Sequence, residues 1–127
     1  MNSSILVCDD IQYNKQEDFF TLGKIINSIE VPTLPYVHIF KVFIKLNYMH
    51  EFEDIDVKLV LTDNENQLIS ISNPIVAHNS RPEGYVPGIS MFLTMTGIVC
   101  KKGNIHLHLV VNNEKINSYP IKLNIKE

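Results

Sequence analysis

The amino-acid sequence predicts an all-β protein. Alanine, the residue that favours helices most strongly, occurs once, at Ala77, whereas isoleucine and valine are abundant. Apolar and polar residues alternate with a period of two in most segments, as expected for strands with one buried face. Asparagine, glycine and proline recur where the alternation breaks, which indicates tight turns. We interpret residues 1–127 as a single β domain.

The first part of the chain predicts two strands separated by a polar loop. The first strand is Ser4–Cys8. The segment 9–18 is predicted to be a loop because its polar residues offer no apolar face. Phe19–Ile26 predicts the second strand, with Gly23 marking a bulge or a close approach of another backbone. Two prolines before residue 36 then indicate a turn.

The longest predicted strand is Tyr36–Leu46. Its even-numbered residues form one apolar face, and its second face mixes Val37, Ile39 and Phe43 with two lysines. We expect this second face to be covered at one end and solvated near the lysines. A strand that is partly apolar on both faces is typical of a central position in a sheet.

The rest of the chain predicts further strands and hairpins. Ile55–Thr62 alternates strictly, and the turn Asp63–Asn66 leads into Leu68–Ile71 as a hairpin. Asn112 and Asn113 predict a second tight turn. The other predicted strands are Pro74–His78 at an edge, Ile89–Val99, Ile105–Val111 and Tyr119–Ile125. Strands at such short intervals predict two antiparallel sheets packed as an immunoglobulin-like β-sandwich of about 7–9 strands.

Several short motifs follow one another in an order that is similar to a known family. They are Cys8-Asp9, Leu22–Ile25, Asp63–Asn66, Arg81–Gly84 with Pro87-Gly88, Gly103, and Val111–Glu114. With these motifs the chain resembles a bacterial family of small β-sandwich proteins that is known only as a domain of unknown function. The resemblance covers nearly the whole chain and implies the β-sandwich fold. It implies no catalytic residue.

Charge and hydropathy restrict the expected partners and location. The formal net charge is −3, which makes nucleic acid an unlikely partner because phosphate binding requires a basic surplus. There is no apolar stretch of about 18 residues, so no membrane span is predicted. Residues 1–10 lack the features of a signal peptide. A cytoplasmic location is therefore expected, with Cys8 and Cys100 as reduced thiols.

The proline- and glycine-rich segment 79–88 is predicted to be a long ordered loop and the main candidate for recognition. Arg81 can bind a carboxylate or phosphate through two parallel hydrogen bonds, and Tyr85 offers amphipathic contact area. The alternative is an ordered crossover between the sheets in which Tyr85 covers the core.

A second candidate is a strip of basic and aromatic residues on one sheet. Lys41, Phe43 and Lys45 share the outer face of one strand, and Lys122 faces outward on the final strand. Such a strip can hold a phosphate or stack a base. The alternative, which the charge balance favours, is that these lysines keep an exposed sheet soluble.

Two clusters of metal-binding residue types are predicted to face solvent rather than to bind a metal. His106 and His108 leave the same face of a strand and could chelate a metal together, but no third ligand stands at a recognisable spacing. A solvated outer face is the favoured interpretation. The acidic run at residues 51–56 lacks the glycine and spacing of a calcium loop, which favours a solvated loop. No metal site and no cofactor are predicted.

The function favoured by the sequence is non-enzymatic, because no nucleophile motif or phosphate loop occurs. We expect a module of the bacterial cytoplasm that recognises another protein or assembles with itself, through the 79–88 loop or a sheet edge. The alternative is a domain that binds a nucleotide or phosphorylated metabolite through Arg81 and the lysine strip. A histidine metal site with hydrolytic chemistry is a third hypothesis.

Overall fold

The computed structural model describes residues 1–127, which form strands and connecting loops without a helix. The all-β class is therefore confirmed. Eleven strands are present, more than the predicted number: β1 Asn2–Cys8, β2 Ile11–Asn14, β3 Phe19–Leu22, β4 Ser28–Val31, β5 Tyr36–Asn47, β6 Ile55–Thr62, β7 Leu68–Ile71, β8 Ile75–Ala77, β9 Gly88–Val99, β10 Gly103–Val111 and β11 Glu114–Ile125. No helix of a length and hydropathy that could span a membrane is found.

The strands form two principal sheets and a separate hairpin. The three-stranded sheet has the order β1-β5-β9. The larger sheet has the order β4-β11-β10-β6-β7, with β8 also paired to β6. All these pairs are antiparallel except β4 and β11, which run parallel. Strands β2 and β3 pair only with each other.

The hydrophobic core lies between the two principal sheets. The predicted apolar face of β5 is confirmed, since Phe40 is 1% exposed and Val42 and Ile44 are fully buried. These side chains join one cluster with residues of the larger sheet, including Leu59 and Leu107. Burial of each such side chain contributes about 1.5–3 kcal/mol. The predicted central position of β5 is also confirmed, because β1 and β9 pair with its two sides.

The two tight turns predicted at Asp63–Asn66 and at Asn112-Asn113 are confirmed. Asp63 Oδ1 accepts hydrogen bonds from the backbone N–H groups of Glu65 and Gln67, each at 2.9 Å. Asn112 and Asn113 have φ angles of 49° and 65° and connect β10 directly to β11. Strand β11 consequently begins at Glu114, earlier than the sequence predicts.

The segment before β5 differs most from the prediction. The predicted loop 9–18 is wrong in part, because it contains β2. The predicted strand Phe19–Ile26 ends at Leu22, since Gly23 lies close to the Asp9 carboxylate and leaves no room for a Cβ. Asp9 Oδ1 also accepts the Lys24 backbone N–H at 2.7 Å. The chain then continues into the short strand β4, which pairs with β11 and which the sequence prediction missed.

Candidate functional site

The β2–β3 hairpin covers part of the outer face of the three-stranded sheet. Its Phe20 ring lies 5.3 Å from the ring of Phe43 and 6.4 Å from that of Phe92, measured between centroids. Val37 and Ile39, at the opposite end of β5, are more than half exposed. The covered end is therefore the one that carries the lysines, which reverses the predicted arrangement.

The 79–88 loop is closed on itself by hydrogen bonds. The side-chain oxygen of Asn79 accepts the backbone N–H groups of Arg81 and Gly88, at 3.1 and 2.9 Å. Ser80 N–H donates to the Gly88 carbonyl at 3.0 Å, and Arg81 Nη1 donates to the Val86 carbonyl at 3.0 Å. The guanidinium thus holds the two ends of the loop tip together, and the loop forms a fixed wall beside β9.

A groove of about 1090 Å³ lies between this loop and the β2–β3 hairpin. We call it the hairpin–loop groove. Its floor includes Phe43 and Lys45 of β5, and its walls carry the rings of Tyr13 on the hairpin and Tyr85 on the loop. Tyr13 is 43% exposed and Tyr85 is 66% exposed. The groove therefore presents aromatic surface to solvent.

The charges that line the hairpin–loop groove are mainly positive. Lys15, Lys45 and Arg81 line it, against a single carboxylate, that of Asp18. That carboxylate accepts a hydrogen bond of 2.7 Å from the Tyr13 hydroxyl, which raises the pKa of Tyr13 by holding its proton. The remaining cationic groups leave the groove suited to an anionic ligand.

Four of the six predicted binding residues line this one groove: Arg81, Tyr85, Phe43 and Lys45. The alternative in which Tyr85 covers the core is wrong, because its ring is largely exposed. Lys41 lies on the same outer face beside the groove, where its Nζ is 3.4 Å from Asp10 Oδ1.

The predicted strip that joined Lys122 to Lys41 and Lys45 is wrong. Lys122 lies on β11 in the larger sheet, whereas the other two lysines lie on β5 in the three-stranded sheet. Their neighbours in sequence, such as Leu123 and Val42, point into the shared core. Lys122 therefore faces solvent on the opposite side of the molecule.

The hairpin wall of the groove was not predicted from the sequence. Tyr13, Lys15 and Asp18 fall in the segment that was predicted to be a loop. Phe20 was predicted to lie on a strand, but no place in a binding site was predicted for it. The available signal was the alternation of Ile11 and Tyr13 with polar neighbours, followed by another aromatic pair. It spans too few residues to distinguish a short strand from a loop.

The histidine pair lies on the outer face of the larger sheet, but it is not simply solvated. His108 is buried, with Nε2 2.8 Å from Thr62 Oγ1 and Nδ1 2.7 Å from Ser118 Oγ. Burial lowers the pKa of His108, and the positive charges of Lys115 and His106 lower it further. Both ring nitrogens are thus engaged by hydroxyl groups. No group of three or more His, Cys, Asp or Glu side chains is placed to hold a metal ion.

The structure is all-β, and the hairpin–loop groove is an open surface lined by basic and aromatic side chains. The chain belongs to a family of unknown function, DUF6941, whose sequence profile matches residues 3–124. The resemblance to a family of unknown function is thereby confirmed. No curated protein matches the chain.

Proposed function

We propose that the protein is a non-enzymatic recognition module that binds an acidic segment of another protein in the hairpin–loop groove. The observation that carries the proposal is the placement of Lys45 and Arg81 beside the exposed rings of Tyr13 and Tyr85. Tyrosine and arginine are enriched at the centres of protein interfaces, where they supply contact area and paired hydrogen bonds.

The shape of the groove favours an extended protein segment. Small-molecule sites of about 300–1,000 Å³ generally enclose most of the ligand surface. The hairpin–loop groove reaches about 1090 Å³ and opens to solvent along its aromatic walls. An extended segment can lie between the hairpin and the loop with acidic side chains near Lys15 and Lys45. Its aromatic or aliphatic side chains would then contact Tyr13 and Tyr85.

The lining of the groove supports recognition without catalysis. It contains no histidine or cysteine, and its one carboxylate, Asp18, is already bonded to the Tyr13 hydroxyl. The serines at the rim, Ser80 and Ser90, have no neighbouring base in the groove that could activate them. These side chains can bind and orient a ligand, but none is arranged as a nucleophile with its base.

We also infer an immunoglobulin-like sandwich of the bacterial cytoplasm. The strand orders β1-β5-β9 and β11-β10-β6 correspond to the orders A-B-E and G-F-C of immunoglobulin domains. Cys8 and Cys100 are free thiols, which is consistent with a reducing compartment. In this framework the β2–β3 hairpin is an insertion that follows the first strand and adds a wall to the outer face of the three-stranded sheet.

The proposal is tested by fluorescence anisotropy with labelled peptides of alternating glutamate and phenylalanine. The variant combines Lys15→Gln and Lys45→Gln, since both lysines are exposed and Arg81 is needed to hold Val86. Loss of two exposed charges is expected to weaken binding by about 3- to 10-fold and to reduce its salt dependence. Lys122→Gln is the matched control on the opposite face, and it is expected to bind like the wild type.

Two results would contradict the proposal. One is equal binding of a peptide in which lysine replaces glutamate, because a basic groove discriminates by charge. The other is equal weakening by Lys122→Gln. A small anionic ligand is the second candidate, favoured by the same three cations. A thermal-shift screen with nucleotides and phosphorylated metabolites tests it, since a ligand specific for the folded state raises the melting temperature.

A further inference from the structure

The loop between β5 and β6 carries the most exposed large apolar side chain of the protein. Phe52 is 86% exposed, a higher fraction than for any other large apolar residue. It stands between Glu51 and Glu53, with Asp54 next in the chain, and all four side chains are exposed. We call residues 51–54 the acidic loop. The Phe52 ring remains in water, so it contributes no burial to the core.

The carboxylates of the acidic loop are almost free of ion pairs. Glu51 and Asp54 form none within the chain, and Glu53 Oε1 has only a long contact of 3.9 Å with His50 Nε2. The three cations that line the hairpin–loop groove likewise form no ion pair within the chain. The loop and the groove therefore carry opposite charges, and neither set is neutralised inside one molecule.

No other exposed segment outside the groove has the chemistry of the acidic loop. Two more exposed aromatic rings stand near acids in the sequence, Phe19 after Asp18 and Tyr85 after Glu83. Both rings line the hairpin–loop groove themselves. The acidic loop is therefore the one segment of this chain that offers the groove an exposed ring between carboxylates.

The acidic loop begins beside the hairpin–loop groove but does not enter it. Asn47 ends β5 and lines the groove. Met49 is 6% exposed and donates its backbone N–H to the Pro87 carbonyl at 3.1 Å, which fixes the base of the loop. Phe52 donates its N–H to His50 Nδ1 at 3.3 Å. This tight turn holds the ring outside the groove of its own molecule, at the same end of the three-stranded sheet.

We propose, resting on the recognition of acidic segments proposed above, that two copies of this chain exchange their acidic loops. The loop of each copy occupies the hairpin–loop groove of the other. Phe52 packs between the partner's Tyr13 and the partner's Tyr85, and its flanking glutamates meet the cations of that groove. Because loop and groove lie at one end of the molecule, a single two-fold axis forms both contacts and closes the pair.

Sedimentation velocity from about 1 µM to about 1 mM at low ionic strength tests the exchange. We expect the wild type to dimerise. Phe52→Ala removes a side chain that the fold leaves exposed. It is expected to raise the dimer dissociation constant by about tenfold or more, because both contacts lose the ring. Leu68→Ala is the matched control, since Leu68 is 60% exposed and follows the far end of β6. This control is expected to dimerise like the wild type.

A mixture of two weakened variants gives a result that depends on the exchange itself. Phe52→Ala keeps an intact groove, and the double variant Lys15→Gln, Lys45→Gln keeps an intact acidic loop. Each variant alone pairs through two defective contacts. In the mixed dimer, one contact joins the intact loop to the intact groove. The equimolar mixture is therefore expected to dimerise more strongly than either variant alone, and no gain on mixing would overturn the proposal.

Peptide binding separates this inference from the proposed function. Phe52→Ala leaves the groove unchanged and is expected to bind the labelled glutamate- and phenylalanine-containing peptide at least as tightly as the wild type. Peptide binding by a wild type that stays monomeric at every concentration would overturn the exchange and leave the proposed function standing. A dimer that Phe52→Ala does not weaken would also overturn the exchange. A protein that neither binds the peptide nor dimerises would overturn both.

Discussion

Gly88 occupies a position where the structure leaves no room for a side chain. A Cβ built there would overlap the backbone carbonyl oxygen of Leu46 and lie 2.6 Å from Arg81 Nη1. Leu46 belongs to the central strand β5 and is itself fully buried, so it cannot move aside easily. We expect Gly88→Ala to displace the start of β9 and the 79–88 loop that leads into it.

The size of the effect follows from two contributions. Overpacking of this kind costs about 1–3 kcal/mol. The displacement also weakens the hydrogen bonds of Gly88 with Asn79 and Ser80, each worth about 1 kcal/mol. The free energy of unfolding is therefore expected to fall by about 2–4 kcal/mol, a large part of the usual total of about 5–15 kcal/mol.

Urea unfolding followed by circular dichroism measures this change. Gly84→Ala is the matched control in the same loop. Its φ of 90° disfavours a side chain, but no atom lies within 4 Å of the added Cβ. The control is expected to lose about 1 kcal/mol from backbone strain alone. If Gly88→Ala is no less stable than Gly84→Ala, the close packing of Arg81 and Leu46 around Gly88 is refuted.

Two further substitutions test individual contacts. Burial lowers the pKa of His108 in the folded state below its usual 6.5. At a pH between the lowered pKa of the folded state and 6.5, the unfolded chain therefore binds more protons than the folded protein. The free energy of unfolding consequently falls as the pH drops from about 7 to about 5. His108→Gln is expected to reduce this dependence, measured by urea unfolding at both pH values, and an unchanged dependence would contradict the assignment. Asp63→Ala is expected to lower the free energy of unfolding by about 1–2 kcal/mol, because two hydrogen bonds at the turn are lost. Asp63→Asn is the control. Equal losses of stability in both variants, measured by urea unfolding, would argue against these bonds.

Local patterns were sufficient to predict the longer strands. The bounds of β6 and β7 agree with the predictions Ile55–Thr62 and Leu68–Ile71, because the turn between them is fixed by Asp63 and Asn66. Strands β2 and β4 have four residues each. So short a segment carries only one or two apolar positions, too few to establish a period of two. Strand β7 is equally short, but it was predicted because the turn Asp63–Asn66 places it directly after β6.

The candidate site was predicted only in part for a different physical reason. Arg81 and Tyr85 lie in one loop, and Phe43 and Lys45 lie on one face of one strand. Because the members of each pair are close in sequence, their proximity could be predicted from the sequence. Whether β5 pairs with β9 or with the final strand depends on contacts between residues far apart in sequence. Such contacts leave no trace in the local alternation, and for this reason Lys122 was assigned to the wrong sheet.

Nuclear magnetic resonance mapping tests the recognition role of the hairpin–loop groove most directly. The isotope-labelled protein is titrated with the glutamate- and phenylalanine-containing peptide, and shifts of the backbone amides are followed. We expect the largest changes at Tyr13, Lys45 and Tyr85, which belong to three separate segments that meet only at the groove. Changes centred on Lys122, or none at the groove when binding is saturated, would contradict its assignment as the recognition site.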